Sequence, residues 1–333
     1  MAQLIFNMSV MRFLADHRTF LLTKFFLLAS LVGQVEGYIL VVTLIYVMFD
    51  KTLAVRLAVL VLLTMCLNHV LKIIIKNPRP FVHEGTYLQK WAVSTENAKA
   101  LATEYSTPSG HAMSGGAFYS YLCASVENPC VRIIAVLAIL ATGFSRPYLG
   151  VHYPGDILIG WVIGLLVALV AIKRADRISD GWNKLSYEYQ VAIAVASSLI
   201  LLLATIAING WRIDGQPRVF LGYAGFLTGI VIGRPIELST VDFDPRSSRP
   251  LAKVLRFAIS VAMVLVALLL LDIVFRAIAD DFSALGYMLQ YIRYTIAGVV
   301  SIFVAPLVFT KIGLAETNPV GQAEAASRLP LAL

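Results

Sequence analysis

Long apolar runs separated by short polar connections dominate the chain. They fall at about 35–49, 52–75, 111–127, 130–146, 154–172, 189–209, 218–234, 252–276 and 288–311. A helix perpendicular to a bilayer needs about 20 apolar residues, so these nine runs are candidate membrane crossings, the shorter ones tilted or continued by turns outside the hydrocarbon. The fold class this predicts is all-α, a polytopic transmembrane helix bundle. Residues 9–32 read differently. Arg12, Asp16, His17, Arg18 and Lys24 are mixed with Phe and Leu, and no small-residue cleavage site follows a clean apolar core. An amphipathic interfacial helix fits that pattern better than a cleaved signal. The polar interval 76–110 is expected to form short helices over one face of the bundle. Four units follow: an N-terminal interfacial segment, 1–34; a membrane core, 35–178; four further C-terminal spans, 179–315; and a small, polar tail, 316–333, expected to be disordered.

Composition strengthens the membrane reading. The 333 residues are 59% hydrophobic and 14% charged, against roughly one quarter charged in soluble domains. The net charge of +7 comes without a dense Lys/Arg block, so lipid headgroups and phosphate are expected partners and nucleic acid is not. Cys66, Cys123 and Cys130 form no metal-ligand spacing and no disulfide framework, and are expected to be buried apolar thiols. Nine crossings place the chain's ends on opposite sides. Lys51, the cluster Lys173/Arg174/Arg177/Lys184, the basic residues Arg234, Arg246, Arg249 and Lys253, and the C-terminus then share one side, which the positive-inside rule assigns to the cytoplasm. Arg12, Arg18 and Lys24 oppose that assignment. Gly225, Gly229 and Gly233 recur every four residues, a packing seam or a homodimer contact among the C-terminal helices. Asp272 and Arg276 are spaced as an i, i+4 ion pair.

Three short runs at the ends of apolar segments carry the candidate chemistry. In Lys72-Ile-Ile-Ile-Lys-Asn-Pro-Arg79-Pro80, a lysine and an arginine are spaced two helical turns apart. On a continuing helix they would share a face, with Pro78 and Pro80 fixing the arginine at the mouth. Point-charge lysine and bidentate arginine are complementary phosphate binders. In Pro108-Ser109-Gly110-His111, Ser109 is a candidate N-cap, and Gly110 lets a ligand approach the helix start, where free N–H groups favour an anion. His111 would sit at that rim, placed to protonate a leaving oxygen. In Ser145-Arg146-Pro-Tyr-Leu-Gly-Val-His152-Tyr-Pro-Gly-Asp156, Pro154 reads as the first residue of a helix. His152 then lies just outside it and Asp156 in its first turn, where a carboxylate can hold one imidazole nitrogen and leave the other as nucleophile. Arg146 can reach the same anion. Asn68 and His69, mid-span, are expected to be satisfied by hydrogen bonds between helices, and His83 is a candidate headgroup contact.

The pattern Lys72-x6-Arg79-Pro80, Pro108-Ser109-Gly110-His111 and Ser145-Arg146-x5-His152-x3-Asp156 resembles the three signature motifs of the type 2 phosphatidic acid phosphatase (PAP2) superfamily. The resemblance implies a PAP2-like catalytic core within 35–178 and a metal-independent, cofactor-free mechanism. His152 would become a phosphohistidine, oriented by Asp156, with His111 as general acid and then base. Lys72, Arg79, Ser109, Gly110 and Arg146 would cradle the phosphoryl oxygens. The layout, with four helices after the third motif, resembles the glucose-6-phosphatase and sphingosine-1-phosphate phosphatase branch, and bacterial PAP2 proteins of that shape, which implies a bacterial inner-membrane protein. The positive-inside assignment above puts the three motif runs on the extracytoplasmic side. The expected substrate is a phosphorylated lipid, hydrolysed at a phosphomonoester or pyrophosphate. A soluble sugar phosphate, phosphotransfer between lipids, and a non-enzymatic transporter or lipid-binding protein remain alternatives at this point.

Overall fold

The computed structural model describes residues 8–84, 101, 104–208, 210–211, 216–246, 249–281 and 283–318. In chain order its helices are α1 (Met8–Asp16), α2 (Phe20–Val32), α3 (Val35–Met48), α4 (Lys51–Ile75), α5 (Pro80–Glu84), α6 (Gly110–Ser125), α7 (Pro129–Tyr148), α8 (Pro154–Asn183), α9 (Tyr187–Ile208), α10 (Gln216–Thr240), α11 (Pro250–Ile278), α12 (Ala284–Val299) and, after a π turn at Val300–Val304, α13 (Ala305–Lys311). Among the described residues the β pairing is a single isolated bridge, Phe243 with Thr317. The fold is all-α, as the hydrophobic pattern requires.

Six segments among the described residues are long and apolar enough to cross a membrane: Lys51–Val82, Pro129–Tyr148, Pro154–Asn183, Tyr187–Ile208, Pro250–Ile278 and Ala284–Lys311. Helices α2 and α3 add a seventh if taken as one span bent by 57°. The chain is an integral membrane protein. Two of the nine expected crossings, on α6 and α10, fall outside this set. Helix α6 has 16 residues, about 24 Å of helix. Residues Ala112–Tyr119 are all buried by protein, so small residues serve there where lipid-facing helices need large apolar ones. The interfacial helix expected over 9–32 is two helices, α2 being apolar almost all round and capped by Thr19 Oγ, which accepts from Leu22 N at 3.3 Å. Of the three thiols, Cys66 is buried, Cys123 half-buried and Cys130 exposed, so the expected burial holds fully for one.

The chain forms two compact units, Met1–Ile39 with Leu63–Ala175, and Leu40–Leu62 with Asp176–Leu333. The first is built around α6. Helix α8 lies so close to it that a methyl group at Gly164 would stand 2.3 Å from Met113 O, and one at Gly160 3.0 Å from Ser109 O. Outward-facing Ile133, Ile134, Leu137 and Phe144 on α7, and Leu158, Val162, Leu166 and Leu169 on α8, are exposed. Large apolar side chains outside and small or polar ones inside is the arrangement that lipid as solvent demands.

In the second unit the glycine seam is a packing surface within the chain. Methyl groups at Gly225 and Gly229 would meet Tyr291 O and Thr295 O of α12 at 2.4 and 2.2 Å. Lys51, at the start of α4, donates to Glu237 Oε1 (2.9 Å) and Asp242 Oδ1 (2.7 Å), and Arg234 donates to Glu237 Oε2 (2.8 Å). A carboxylate as buried as Glu237 is tolerable only when paired in this way. Asp272 pairs with Arg276 at 3.1 Å, as its spacing suggests, and with Arg293. Of the expected tail, Glu316 O accepts from Asp244 N (3.0 Å) and Asn318 N donates to Asp242 O (2.9 Å). Residues 319–333 lie outside the described residues, as do the segments 85–100 and 102–103 of the polar interval and the side chain of His83.

Candidate active site

All eight sequence-derived site residues belong to the first unit. Lys72 and Arg79 converge, but not by helical periodicity. Helix α4 ends at Ile75, Lys76 adopts φ +53°, and the chain turns before Pro80 opens α5. The turn leaves the Arg79 side chain 2% exposed. Its NH1 donates to Val151 O (3.1 Å) and lies 3.1 Å from His152 Nε2, while NH2 and Nε donate to Glu104 Oε2 (2.9 Å) and Glu104 O (3.2 Å). Lys72 Nζ donates to the same Glu104 Oε2 at 3.3 Å. One carboxylate oxygen thus binds both cations of the first motif run. Burial alone would raise the Glu104 pKa, but Lys72 and Arg79 outweigh it and bring it down to about 2.

Asp156 lies in the first turn of α8 and is fully buried. It accepts hydrogen bonds from Ser106 Oγ, Thr107 Oγ1 and Tyr153 N, the last at 2.9 Å. Its Oδ2 is 3.4 Å from His152 Nδ1, and Ser106 Oγ is 3.2 Å from that nitrogen. Burial first, then the charges of Arg79, Arg146 and Lys72, hold the His152 imidazole well below its ordinary pKa. The neutral ring with its proton on Nδ1 fits these partners, since Nδ1 faces a carboxylate and Nε2 faces a donor. Nε2 therefore carries its lone pair toward the cationic side of the site.

Ser109 occupies the N-cap position of α6, yet its hydroxyl makes no capping bond. Its N–H donates to Asp156 O at 3.1 Å, and its buried Oγ has no hydrogen-bond partner among the described residues. The capping role expected from the sequence is replaced by a hydroxyl available to a ligand, because a buried polar atom needs a partner. Gly110 opens the helix beside it, where a methyl group would stand 3.2 Å from Asn68 Oδ1. Asn68 Nδ2 donates to Pro108 O, just before α6, at 3.0 Å and to Met113 Sδ on α6 at 3.5 Å, the second being the contact between helices that its position suggested. His111 Nε2 lies 3.4 Å from Ser30 Oγ, and Arg146 NH1 donates to that hydroxyl at 2.6 Å. Arg146 Nε is buried without a partner among the described residues.

The sequence reading missed Ser30, Glu104, Ser106 and Thr107. Ser106 and Thr107 adjoin Pro108 and could have been suspected as hydroxyls flanking a motif. Glu104 is one acid in a polar interval, and Ser30 a lone hydroxyl in an apolar helix, with no spacing to mark either.

The PAP2 superfamily profile matches residues 53–179, and the profile described as PAP2 superfamily phosphatase, transmembrane extension, matches residues 221–317. The chain is 24% identical over 303 residues to Sphingosine-1-phosphate phosphatase 1 of Mus musculus, covering 80% of this chain and 66% of that protein. It is 28% identical over 137 residues to Undecaprenyl-diphosphatase of Sulfolobus acidocaldarius (40% and 61% covered) and 31% identical over 140 residues to Glucose-6-phosphatase 3 of Rattus norvegicus (38% and 40%). The chain thus spans between 40% and 66% of the length of these relatives. With the three motif runs inside the first matched region and α11 and α12 inside the second, the chain is a membrane-integral member of the PAP2 superfamily that carries its transmembrane extension.

Proposed function

We propose that this chain is a metal-independent membrane phosphatase that hydrolyses a phosphomonoester or pyrophosphate on a lipid through a phosphohistidine. The observation that carries this reading is the environment of His152. One ring nitrogen is engaged by Asp156 and Ser106, while the other faces Arg79. A neutral imidazole so oriented is a nucleophile, and the cations beside it stabilise the charge that develops on phosphoryl oxygens. Lys72, Arg79, Arg146, Ser109 Oγ and the free N–H groups at the start of α6 hold the phosphoryl group. His152 Nε2 attacks phosphorus as the bond to the leaving oxygen breaks, and His111 gives that oxygen a proton. Asp156 stabilises the resulting positive ring. Water then attacks the phosphohistidine, His111 takes its proton, the P–N pair returns to Nε2, and inorganic phosphate leaves. To serve this step, Lys72 and Arg79 must exchange Glu104 for phosphate, and Arg79 NH1 must turn from His152 Nε2 to a phosphoryl oxygen so that the nitrogen lone pair is free to attack.

Apolar helix faces and relatives named for sphingosine-1-phosphate and undecaprenyl diphosphate support a lipid substrate. The relative named for glucose-6-phosphate supports a second reading, a soluble sugar phosphate at the same residues. Phosphate release from purified protein in detergent with excess EDTA tests both. Phosphatidic acid, phosphatidylglycerol phosphate, polyprenyl pyrophosphate, sphingosine-1-phosphate and glucose-6-phosphate form the panel. Turnover of at least one lipid ester faster than glucose-6-phosphate, inhibited by vanadate as a mimic of the five-coordinate transition state, is expected. An absolute requirement for Mg²⁺ would sink the mechanism, and preference for glucose-6-phosphate would move the substrate to the second reading.

A further inference from the structure

Helix α2 precedes the matched PAP2 region, which begins at residue 53, yet it supplies a side chain to the site. Ser30 is 2% exposed, and its Oγ stands between two motif residues, 2.6 Å from Arg146 NH1 and 3.4 Å from His111 Nε2. A guanidinium can only donate, so the hydroxyl oxygen accepts from Arg146. It keeps a hydrogen and a second lone pair, either of which can serve the imidazole. Whichever His111 tautomer is present, Nε2 is the nitrogen that Ser30 engages, and Nδ1 is left for the reacting oxygen.

A second contact acts on the same ring. Gly33, which ends α2, is so close that a methyl group there would stand 3.0 Å from His111 Cδ2 and 3.1 Å from Thr142 Cγ2. The ring carbon beside Nε2 thus rests against the end of α2. The helix is anchored to the turn of α7 that carries Arg146. Thr23 Oγ1 donates to Tyr148 Oη at 3.2 Å, Arg18 Nε to Tyr148 O at 2.6 Å, and the Phe26 and Tyr148 ring centroids are 4.5 Å apart. Tyr119 Oη donates to Val32 O at 2.9 Å, fixing the end of α2 to α6.

From this arrangement we infer that Ser30 is a positioning residue for His111 and Arg146, and that α2 is part of the active site. The inference rests on the phosphatase reading above. Burial, then Arg146, His152, Lys72 and Arg79, hold the His111 pKa well below its ordinary value in the free site. The negative charge of the bound phosphate ester offsets those cations, so that protonated His111 gives the Nδ1 proton to the leaving oxygen, and the same nitrogen later takes the proton of the attacking water. Ser30 holds Nε2 throughout, as Asp156 holds Nδ1 of His152. Each acts through an imidazole and touches no reacting atom.

The test compares purified full-length wild type, Ser30→Ala, Ser30→Thr and Gly33→Ala on a lipid alkyl phosphate and on p-nitrophenyl phosphate. Ser30→Ala should lower kcat on the alkyl ester about ten-fold or more, and on p-nitrophenyl phosphate far less, because a phenolate needs little protonation to leave. The basic limb of the kcat profile should move to lower pH, since protonated His111, which faces Arg146, His152, Lys72 and Arg79, loses the acceptor that Ser30 offers among these neighbours. Ser30→Thr should restore both. On a His111→Ala background, Ser30→Ala should add little, because the two changes act through one group. Equal losses on both substrates with an unmoved basic limb, or full additivity with His111→Ala, would show a merely structural role and overturn the inference. Should Ser30→Ala fail to fold, Gly33→Ala decides: it displaces the same ring, and a loss that does not depend on the leaving group overturns the inference. A wild type that hydrolyses neither ester removes the phosphatase reading and this inference with it. An active wild type matched by Ser30→Ala removes the inference alone.

Discussion

Asp156 shows how much one side chain can organise. Its carboxylate takes two hydroxyls and a backbone N–H and lies against His152 Nδ1, which fixes the tautomer that leaves Nε2 nucleophilic. His152→Ala should abolish phosphate release by several orders of magnitude, measured as kcat, because on the proposed mechanism it deletes the attacking atom. His111→Ala should be severe on alkyl phosphates and mild on p-nitrophenyl phosphate, and equal losses would remove His111 from the role of general acid. The pH dependence follows from His152. Burial and the neighbouring cations lower its pKa well below 6.5, so the neutral nucleophile persists as pH falls through 6.5 and is lost only at more acid pH. The acid limb of kcat/KM, which reports the free enzyme, should therefore lie below 6.5 and be common to substrates with different phosphate pKa values. An enzyme-derived limb at or above 6.5 would contradict this placement of His152.

Helices α6 and α8 hold the second and third motifs in register, and two glycines set their spacing. A methyl group at Gly164 would meet Met113 O at 2.3 Å and Ala117 N at 3.0 Å, whereas one at Gly181 on the same helix meets nothing within 4 Å. Backbone cannot move aside as a flexible side chain can. Gly164→Ala is expected to destabilise the protein by about 1–3 kcal/mol through overpacking and to lower activity by shifting Ser109–His111 relative to Asp156. Gly181→Ala should be neutral or stabilising by up to about 1 kcal/mol, since alanine is the better helix former. Thermal unfolding of the two variants in detergent, with kcat alongside, checks the contrast. A silent Gly164→Ala would mean that α6 and α8 tolerate a wider spacing than the structure has.

For the whole molecule, α8 links the chemistry to the membrane. From Asp156 near its start to Arg174 is 18 residues of one helix, about 27 Å and close to the thickness of the hydrocarbon core. Lys173 and Arg174 therefore lie about a membrane's width along α8 from Asp156. Short basic segments are retained in the cytoplasm, so the catalytic end is expected to face outward. In a background with the three native cysteines replaced, Val82→Cys should react with an impermeant thiol reagent on intact cells, and Gly181→Cys only after lysis. The reverse pattern would turn the protein over and make its substrate a phosphate of the cytoplasmic leaflet.

The amino-acid sequence by itself determined the all-α membrane class and the three motif runs, because long apolar runs and short motifs of fixed spacing are local signals. Tertiary structure alone decided how those residues meet. Lys72 and Arg79 were expected to converge by helical periodicity and do so through a turn at Lys76, because helix α4 stops at Ile75. Ser109 was expected to cap α6 and instead leaves its hydroxyl without a partner among the described residues. Hydropathy marks α6 as apolar without telling whether lipid or protein surrounds it. The α6 run Ala112–Tyr119 faces protein. Glu104 and Ser30 carry no spacing signal, since their partners lie 25–32 and 81–116 residues away in the chain. Side chains so far apart become neighbours only when the helices pack, and no local pattern records that distance being closed.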